Sequence, residues 1–567
     1  QNNTIMKAKN KIILLGSLSV VSLSLFGYST YLETESKKSY DRQENKTTSD
    51  FNKTISDSVL EIDSSQIFLS LNGAAQKEKT KDLPTYSLIN GVKSKKVLSN
   101  VLVGIDKLPQ KNTNWDIDSI MTKKWETEIG GLSYRSNFEL VDNFLYVGSN
   151  GNYFRDWHTW DEKNGVYKLS VFNGKVIKKF ADGDIGDLDV NGLLYHNNKL
   201  YFGNDNDEFL CTDLNGEIIW RIPVSGDVEH QPTIIKKKGN NLIVFATEVG
   251  EIRAVNPENG NTVWQYFDSQ FNGWKSGENR FIFKLKTHFK SGSLFFSKPG
   301  LADLNSDGID DLLYAGSTTL AINGRNGKLM WTIPHEITPK DGFLKYKLNH
   351  FKSHPTVIGK GKNARIFMYA LEYNKNLADD KIPSFGFEKN GVLLAFNNNG
   401  RIVKKIPISS KYNRDYNYSF FETNKINKNE VFINSVNTIY FYNLLTDSLS
   451  VYRNFNKKQL INNDWGDDYH ISTLNGIVQV YPSLFNTKLG YLRLVKWEYG
   501  STADGSNFSQ LKFIRISDNK EILSIKLNGG GSEAPLLIKD IDNNGKNELI
   551  IAANRKIYCY DFSKLKI

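Results

Sequence analysis

Cysteine is almost absent from this chain of 567 residues, which has only Cys211 and Cys559. Two thiols so far apart in sequence cannot make a disulfide framework, and no Cys/His spacing suits zinc. They read as buried free thiols, able to pair only if the fold closes on itself. Proline is scarce as well, with 13 residues, whereas the chain has 43 Gly, 27 Tyr, 33 Phe and 10 Trp. That balance favours strands joined by tight turns. Nucleic-acid motifs are lacking too: there is no helix–turn–helix, zinc finger or stacking platform. The net charge of +10 and pI near 9.0 read as a solvated surface, with an anionic partner as the alternative, because the lysines are dispersed through Asn-rich turns. The densest run in the repeat region, Lys236-Lys237-Lys238, reads as a hairpin tip. Nucleic acid is not an expected partner.

Met6 reads as the initiator, with residues 1–5 as an upstream extension. Lys7, Lys9 and Lys11 precede an apolar, serine-rich run over 12–28. A basic stub before such a run is the pattern of an export signal or of an uncleaved membrane anchor. Gly27-Tyr28-Ser29 is a mediocre cleavage site, and no cysteine follows that would direct lipoprotein processing. The expected organisation is a signal or anchor helix over 1–32, a disordered polar linker over 33–54 and an extension of undeclared fold over 55–122. Repeats fill 123–567. The chain is thus placed outside the cytoplasm: periplasmic, at the cell surface or secreted.

What the sequence has most of is internal repetition. Asn215-Gly216-Glu217-Ile218-Ile219-Trp220 returns as Asn259-Gly260-Asn261-Thr262-Val263-Trp264 and as Asn326-Gly327-Lys328-Leu329-Met330-Trp331. Weaker copies begin at Asn173 and Asn399. Asn-Gly supplies the positive φ angles of a two-residue hairpin, and the alternation after it makes a strand. Paired apolar strands precede each turn, as in Leu200-Tyr201-Phe202-Gly203 before Phe209-Leu210-Cys211-Thr212. Each unit is therefore four short strands, at the spacing of a propeller blade. Units open near Ser136, Asp187, Gln231, Pro299, Pro355, Phe420, Val478 and Pro535. An orphan copy of the Trp-bearing strand, Lys123-Lys124-Trp125-Glu126-Thr127, lies upstream of the first unit. The fold expected is all-β: a propeller of eight four-stranded blades, with seven as the alternative, closed by this N-terminal strand.

Two acidic loops carry the most specific chemistry. In 303–311, Asp303, Asn305 and Asp307 occupy alternate positions, Gly308 follows, and Asp311 returns a carboxylate. The second loop repeats this with Asp540, Asp542, Asn544, Gly545 and Glu548. Calcium needs six to eight oxygens, and alternate residues of a tight loop can supply them, with the carbonyls of Ile309 and Lys546 as further ligands. These are not EF-hands, because strands follow at once. Structural calcium is the expected cofactor.

The loops resemble those of the FG-GAP/VCBS repeat family, whose calcium loops lie between propeller strands. Gly531-Ser532-Glu533-Ala534-Pro535 partly matches that family's opening motif. The Asn-Gly-x-x-x-Trp strands look like those of PQQ-like, quinoprotein-type propeller repeats, as in bacterial outer-membrane assembly scaffolds. Together the resemblances span 125–567 and imply fold far more than activity. Quinoprotein dehydrogenases place adjacent, disulfide-bonded cysteines beside their quinone. This sequence has no such pair, which argues against PQQ-dependent catalysis.

Residues just before each innermost strand should ring the mouth of a central channel. Across the units these are Arg135, Asp184 and Asp187, Glu229 and His230, Lys298, His354, Asp468 and His470, and Glu533. They offer a polar ligand site, or simply the polar lining of a wet channel. Trp157, His158 and Trp160 could add a carbohydrate platform or serve packing. With no recognisable catalytic motif, the expected function is a non-catalytic propeller that binds or scaffolds a protein or other ligand. The alternative is a carbohydrate-active lyase or hydrolase with its site at the channel mouth. A quinone-dependent oxidoreductase ranks third.

Overall fold

The computed structural model describes residues 97–98 and 114–561, except 133–135, 152–161, 181–187, 268–297, 340–343, 349–354, 375–390, 409–421, 454–476, 499–508, 528–535 and several one- and two-residue stretches. In it, the Asn-Gly segments turn the chain toward the outermost strand of a sheet. At 323–328, Asn323 Oδ1 accepts the Arg325 N–H, Gly327 N–H donates to Asn323 O at 2.8 Å, and Asn326 Oδ1 accepts the Lys328 N–H. Within this turn only Gly327 has positive φ, at 71°. The turn is thus longer than the two-residue hairpin expected, which needs positive φ at both central residues. Asn326 spends its carboxamide on the backbone instead. Gly327 is required twice over, because a Cβ there would stand 2.5 Å from the indole of Trp264 in the neighbouring sheet.

Residues 139–180, 193–223, 233–267 and 300–333 each form a four-stranded antiparallel sheet in up-and-down order. In the fifth sheet the four strands 356–408 are joined by the hairpin Glu336–Ile337 and Leu344–Leu348, which pairs along the far half of Arg365–Asn374. The sixth sheet runs over 422–453. The seventh, 477–526, gains two strands from upstream of the repeats: Val97–Leu98 lies parallel to its first strand and Asn114–Asp116 parallel to its last. The eighth combines Leu537–Lys539, Glu548–Ala553 and Lys556–Asp561 with Thr122–Glu128 on the outside, where Trp125 stands opposite Cys559. The blade number is eight, and the N-terminal strand closes the ring.

Eight buried apolar clusters lie one at each seam between successive blades, including the seam that joins the last blade to the first through Trp125, Leu145, Leu169 and Cys559. A propeller has no single core; its apolar burial is divided among these seams. At several of them an outer-strand aromatic lies on the turn glycine of the next blade: Trp125 on Gly174, Phe180 on Gly216, Trp220 on Gly260, Trp264 on Gly327 and Trp331 on Gly400. Each of the four indoles also donates to a backbone carbonyl there, at Val171, Pro257, Gly324 and Asn398. Cys211 and Cys559 are buried free thiols. Among the described residues no helix is long and apolar enough to cross a membrane. The apolar segment 12–28 lies outside the described residues.

Candidate functional site

Both acidic loops connect the first two strands of a blade, as their sequence position implied. In the first, the Asp303 carboxylate accepts the N–H groups of Asp307 and Gly308, each at 3.0 Å, while Asn305 Oδ1 accepts Asp307 N–H at 2.9 Å. Asp307 Oδ1 accepts the N–H of Ile309, and its Oδ2 takes a 3.1 Å hydrogen bond from Arg325 Nε. Asp311 is fully buried, with one oxygen on Leu304 N–H and the other on Gly324 N–H. Burial raises its carboxyl to about 6, against those hydrogen bonds. Asp311 therefore pins the loop to its own blade. Asp303, Asn305 and Asp307 turn their oxygens inward around the loop.

The second loop repeats the scheme with one substitution of partner. Asp540 accepts Asn544 and Gly545 N–H, and Glu548 Oε2 accepts Ile541 N–H. Asp540, Asp542 and Glu548 bring a carboxylate oxygen each to within 4.8 Å of one another. The Lys124 ammonium from the ring-closing strand lies 2.7 Å from Asp542 Oδ2 and 3.1 Å from Glu548 Oε1. Desolvation opposes the charge on Lys124, but the hydrogen bonds to Asp542 and Glu548 outweigh it and raise the ammonium to about 12. Asn544 Oδ1 accepts the N–H of Lys546, whose own ammonium is not used in the loop's backbone bonding.

Of the channel-mouth residues expected from sequence, Arg135, Asp184, Asp187, His354, Asp468, His470 and Glu533 lie outside the described residues, as do Trp157, His158 and Trp160. Glu229 is buried and accepts a 2.7 Å hydrogen bond from Asn191 Nδ2, and Asn191 Oδ1 accepts one from Asn150 Nδ2, so that blades one to three are tied by one polar chain. His230 is buried at 2% exposure, its Nδ1 is 2.9 Å from Gln231 O, and its ring packs on Tyr314. It is a packed side chain and does not open onto the channel.

Two residues absent from the expected site, Glu139 and Gln231, meet beside the axis. Glu139, on the innermost strand of blade one, accepts hydrogen bonds from Gln231 Nε2 at 3.0 Å and Asn137 Nδ2 at 3.1 Å. Gln231 belongs to blade three. Side chains of blades that are not neighbours meet at such a distance only beside the axis. Desolvation raises the Glu139 carboxyl to about 7, against the Tyr195 N–H, the two amides and the charge of Lys298. Desolvation likewise lowers the Lys298 ammonium, opposed by attraction to Glu139. Lys298 is itself solvent-exposed. The available signal for Glu139 was a carboxylate inside the apolar run Phe138–Val141.

The rim is the remaining surface of note. Val176, Ile177, Ile218, Ile219, Val263 and Leu329 are all exposed, at 38–49%. They begin the outermost strands of blades one to four, directly after the turns, and those strands end their sheets.

The described structure is thus that of an eight-bladed β-propeller. A family model described as outer membrane protein assembly factor BamB matches residues 190–378, which span blades two to four and part of five. No curated protein sequence matches the chain. Solved structures of similar fold include BamB from Moraxella catarrhalis, 13% identical over 78% of this chain and 100% of that one, with a TM-score of 0.40. Quinohemoprotein alcohol dehydrogenase from Comamonas testosteroni is 12% identical over 80% and 79%, with a TM-score of 0.46. Sqt1 from Saccharomyces cerevisiae is 10% identical over 77% and 98%, with a TM-score of 0.43.

Proposed function

We propose that this chain is an exported, non-catalytic propeller that scaffolds a protein partner along the rim of blades one to four. The observation that carries the reading is the row of exposed aliphatic side chains at equivalent positions of four successive outer strands. Scattered surface aliphatics are ordinary, but a repeated row marks an interaction site. The partner it fits presents an extended apolar strand. The chain treats its own blade seven this way, laying Asn114–Asp116 along the outermost strand, and exposed edges invite such pairing. The match to a family described as an outer-membrane protein assembly factor supports the same reading. A photo-crosslinking residue at 219 in the full chain, expressed in its native cell, should give one defined protein adduct. The pair Ile177→Lys and Ile218→Lys should reduce that adduct at least tenfold with melting unchanged. Crosslinking no stronger than at exposed Glu217 would end this proposal.

Calcium is assigned to the same design as a structural ion, with Asp303, Asn305 and Asp307 as its side-chain ligands in the first loop. The inward oxygens of that loop suit a hard cation. In the first loop the ion must displace the Arg325 guanidinium from Asp307, and in the second the Lys124 ammonium from Asp542 and Glu548. Chelation of calcium-saturated protein is expected to cost about 2–3 kcal/mol of stability, the linkage value near a hundredfold excess over the dissociation constant. Asp303→Ala should reproduce most of that loss and leave only the second loop's smaller response to chelator. A melting temperature indifferent to chelator would remove the metal from the account.

A further inference from the structure

In an up-and-down sheet the turn from first to second strand and the turn from third to fourth leave at the same end, and closure into a ring collects these turns on one face. Two apolar side chains stand on turns of that face. Phe172, in the turn 171–175 of blade one, is 48% exposed, and Leu445, in the turn 444–447 of blade six, is 72% exposed. Asn443 Oδ1 accepts the Leu445 N–H at 2.9 Å, and Gly174 N–H donates to Ser170 O at 2.9 Å. Both turns are therefore fixed by their own backbone bonds, with these side chains left in water.

The same face is basic. Lys175, Lys236, Lys328, Lys360, Lys362 and Lys546 all lie in these turns, on blades one, three, four, five and eight, and all are exposed. None of the six ammonium groups makes a hydrogen bond or ion pair with a described residue. Acids of this face are instead spent within the protein: Glu217 pairs with Lys178, Glu258 with Lys199 and Asp518 with Arg515. Asp303 and Asp540 accept N–H groups of their own loops. Asp142 and Asp310 are exposed carboxylates of the face, too few to offset six lysines.

We propose that this turn face docks on a bilayer surface rich in acidic phospholipid, with the lysines on headgroup phosphates and with Phe172 and Leu445 entering the headgroup boundary. The same pairing of lysines with Phe and Leu carries amphipathic helices onto membrane surfaces. Here the groups are spread around a ring face and not lined along a track, so a broad surface meets them all at once. An acidic polymer would satisfy the lysines and leave both apolar tips in water. The basic stub and apolar run over 12–28 have the pattern of a segment that brings the chain to a membrane. The rim proposed for a protein partner is the outer-strand edge, which stays free when the turn face lies on lipid, so either reading can fail alone.

Cys211 and Cys559 are buried, so one engineered cysteine in the full chain can carry an environment-sensitive fluorophore. Leu445→Cys places the label on the turn face. Glu162→Cys places it just before the third strand of blade one, exposed at the opposite face. The run 12–28 can hold the chain on any vesicle, so the readout is the label and not co-sedimentation. With phosphatidylcholine vesicles containing phosphatidylglycerol, the label at 445 should shift to the blue and the label at 162 should not; pure phosphatidylcholine should shift neither. Lys328→Glu, Lys360→Glu and Lys362→Glu together should raise the lipid needed for the half-maximal shift at least tenfold with melting unchanged, and added salt should act the same way. Phe172→Ser should weaken the shift with every lysine in place. Equal shifts on both kinds of vesicle, no shift at 445, a shift at 162 as large as that at 445, or a triple variant that docks like the parent would overturn the assignment.

Discussion

Alanine in place of Trp125 lowers the free energy of unfolding by about 3–5 kcal/mol in urea denaturation, the range for truncating a buried tryptophan. The indole is 6% exposed and packs on Gly174 of blade one, while its Nε1 donates to Val171 O at 2.7 Å. Its own strand belongs to blade eight, where it stands opposite Cys559. Removal therefore opens a cavity and strands a buried carbonyl at the seam where the two ends of the repeat region meet. Trp331 makes the same contact with Gly400 between blades four and five, but its side chain is half-buried and its seam is continuous in chain. Trp331→Ala should cost clearly less, about 1–2 kcal/mol on the area it hides. Equal losses at the two positions would show that the closing seam carries no more than an ordinary one.

This closure was legible in the sequence because it depends on a repeated local pattern. A Trp-bearing strand with no turn before it, at one end, and a unit lacking its outer strand, at the other, complement each other. The acidic loops were legible for a similar reason: alternate oxygens and a glycine occur within nine consecutive residues. The turn type was misjudged because Asn-Gly also fits a longer turn, and the choice was made by side chains two and three residues upstream, such as Asn323. Lys124 and Glu139 were not legible at all as partners. Lys124 meets residues more than four hundred positions away, and Glu139 meets Gln231 across an intervening blade. Such pairs are created by ring geometry, and no local period records them.

Beyond Gly400 the outer strands Ile402–Ile408, Ser448–Arg453 and Lys520–Lys526 carry no Trp, and the structure shows what stands in its place. Lys404, at the position of the tryptophan, hydrogen-bonds Tyr442 OH and Asp447 of the next blade. At the following seam Arg493 of blade seven donates to Glu430 of blade six at 2.8 Å, with side chains 3% and 1% exposed, and its guanidinium lies 4.2 Å over the Phe441 ring. Beside them Tyr452 OH and Lys512 both reach Glu521. Removing one member of a buried ion pair leaves an uncompensated charge, whereas replacing both with apolar groups of similar volume is often nearly neutral. Glu430→Ala is accordingly expected to lose about 3–5 kcal/mol in urea denaturation, more than its few side-chain atoms could contribute by packing. The double variant Glu430→Met with Arg493→Met should recover most of this, giving a coupling energy of about 2 kcal/mol or more between the two sites. Strict additivity would mean that the charges act independently, and that the apolar cluster of Phe432, Phe441, Val495 and Ile514 holds blades six and seven together by itself.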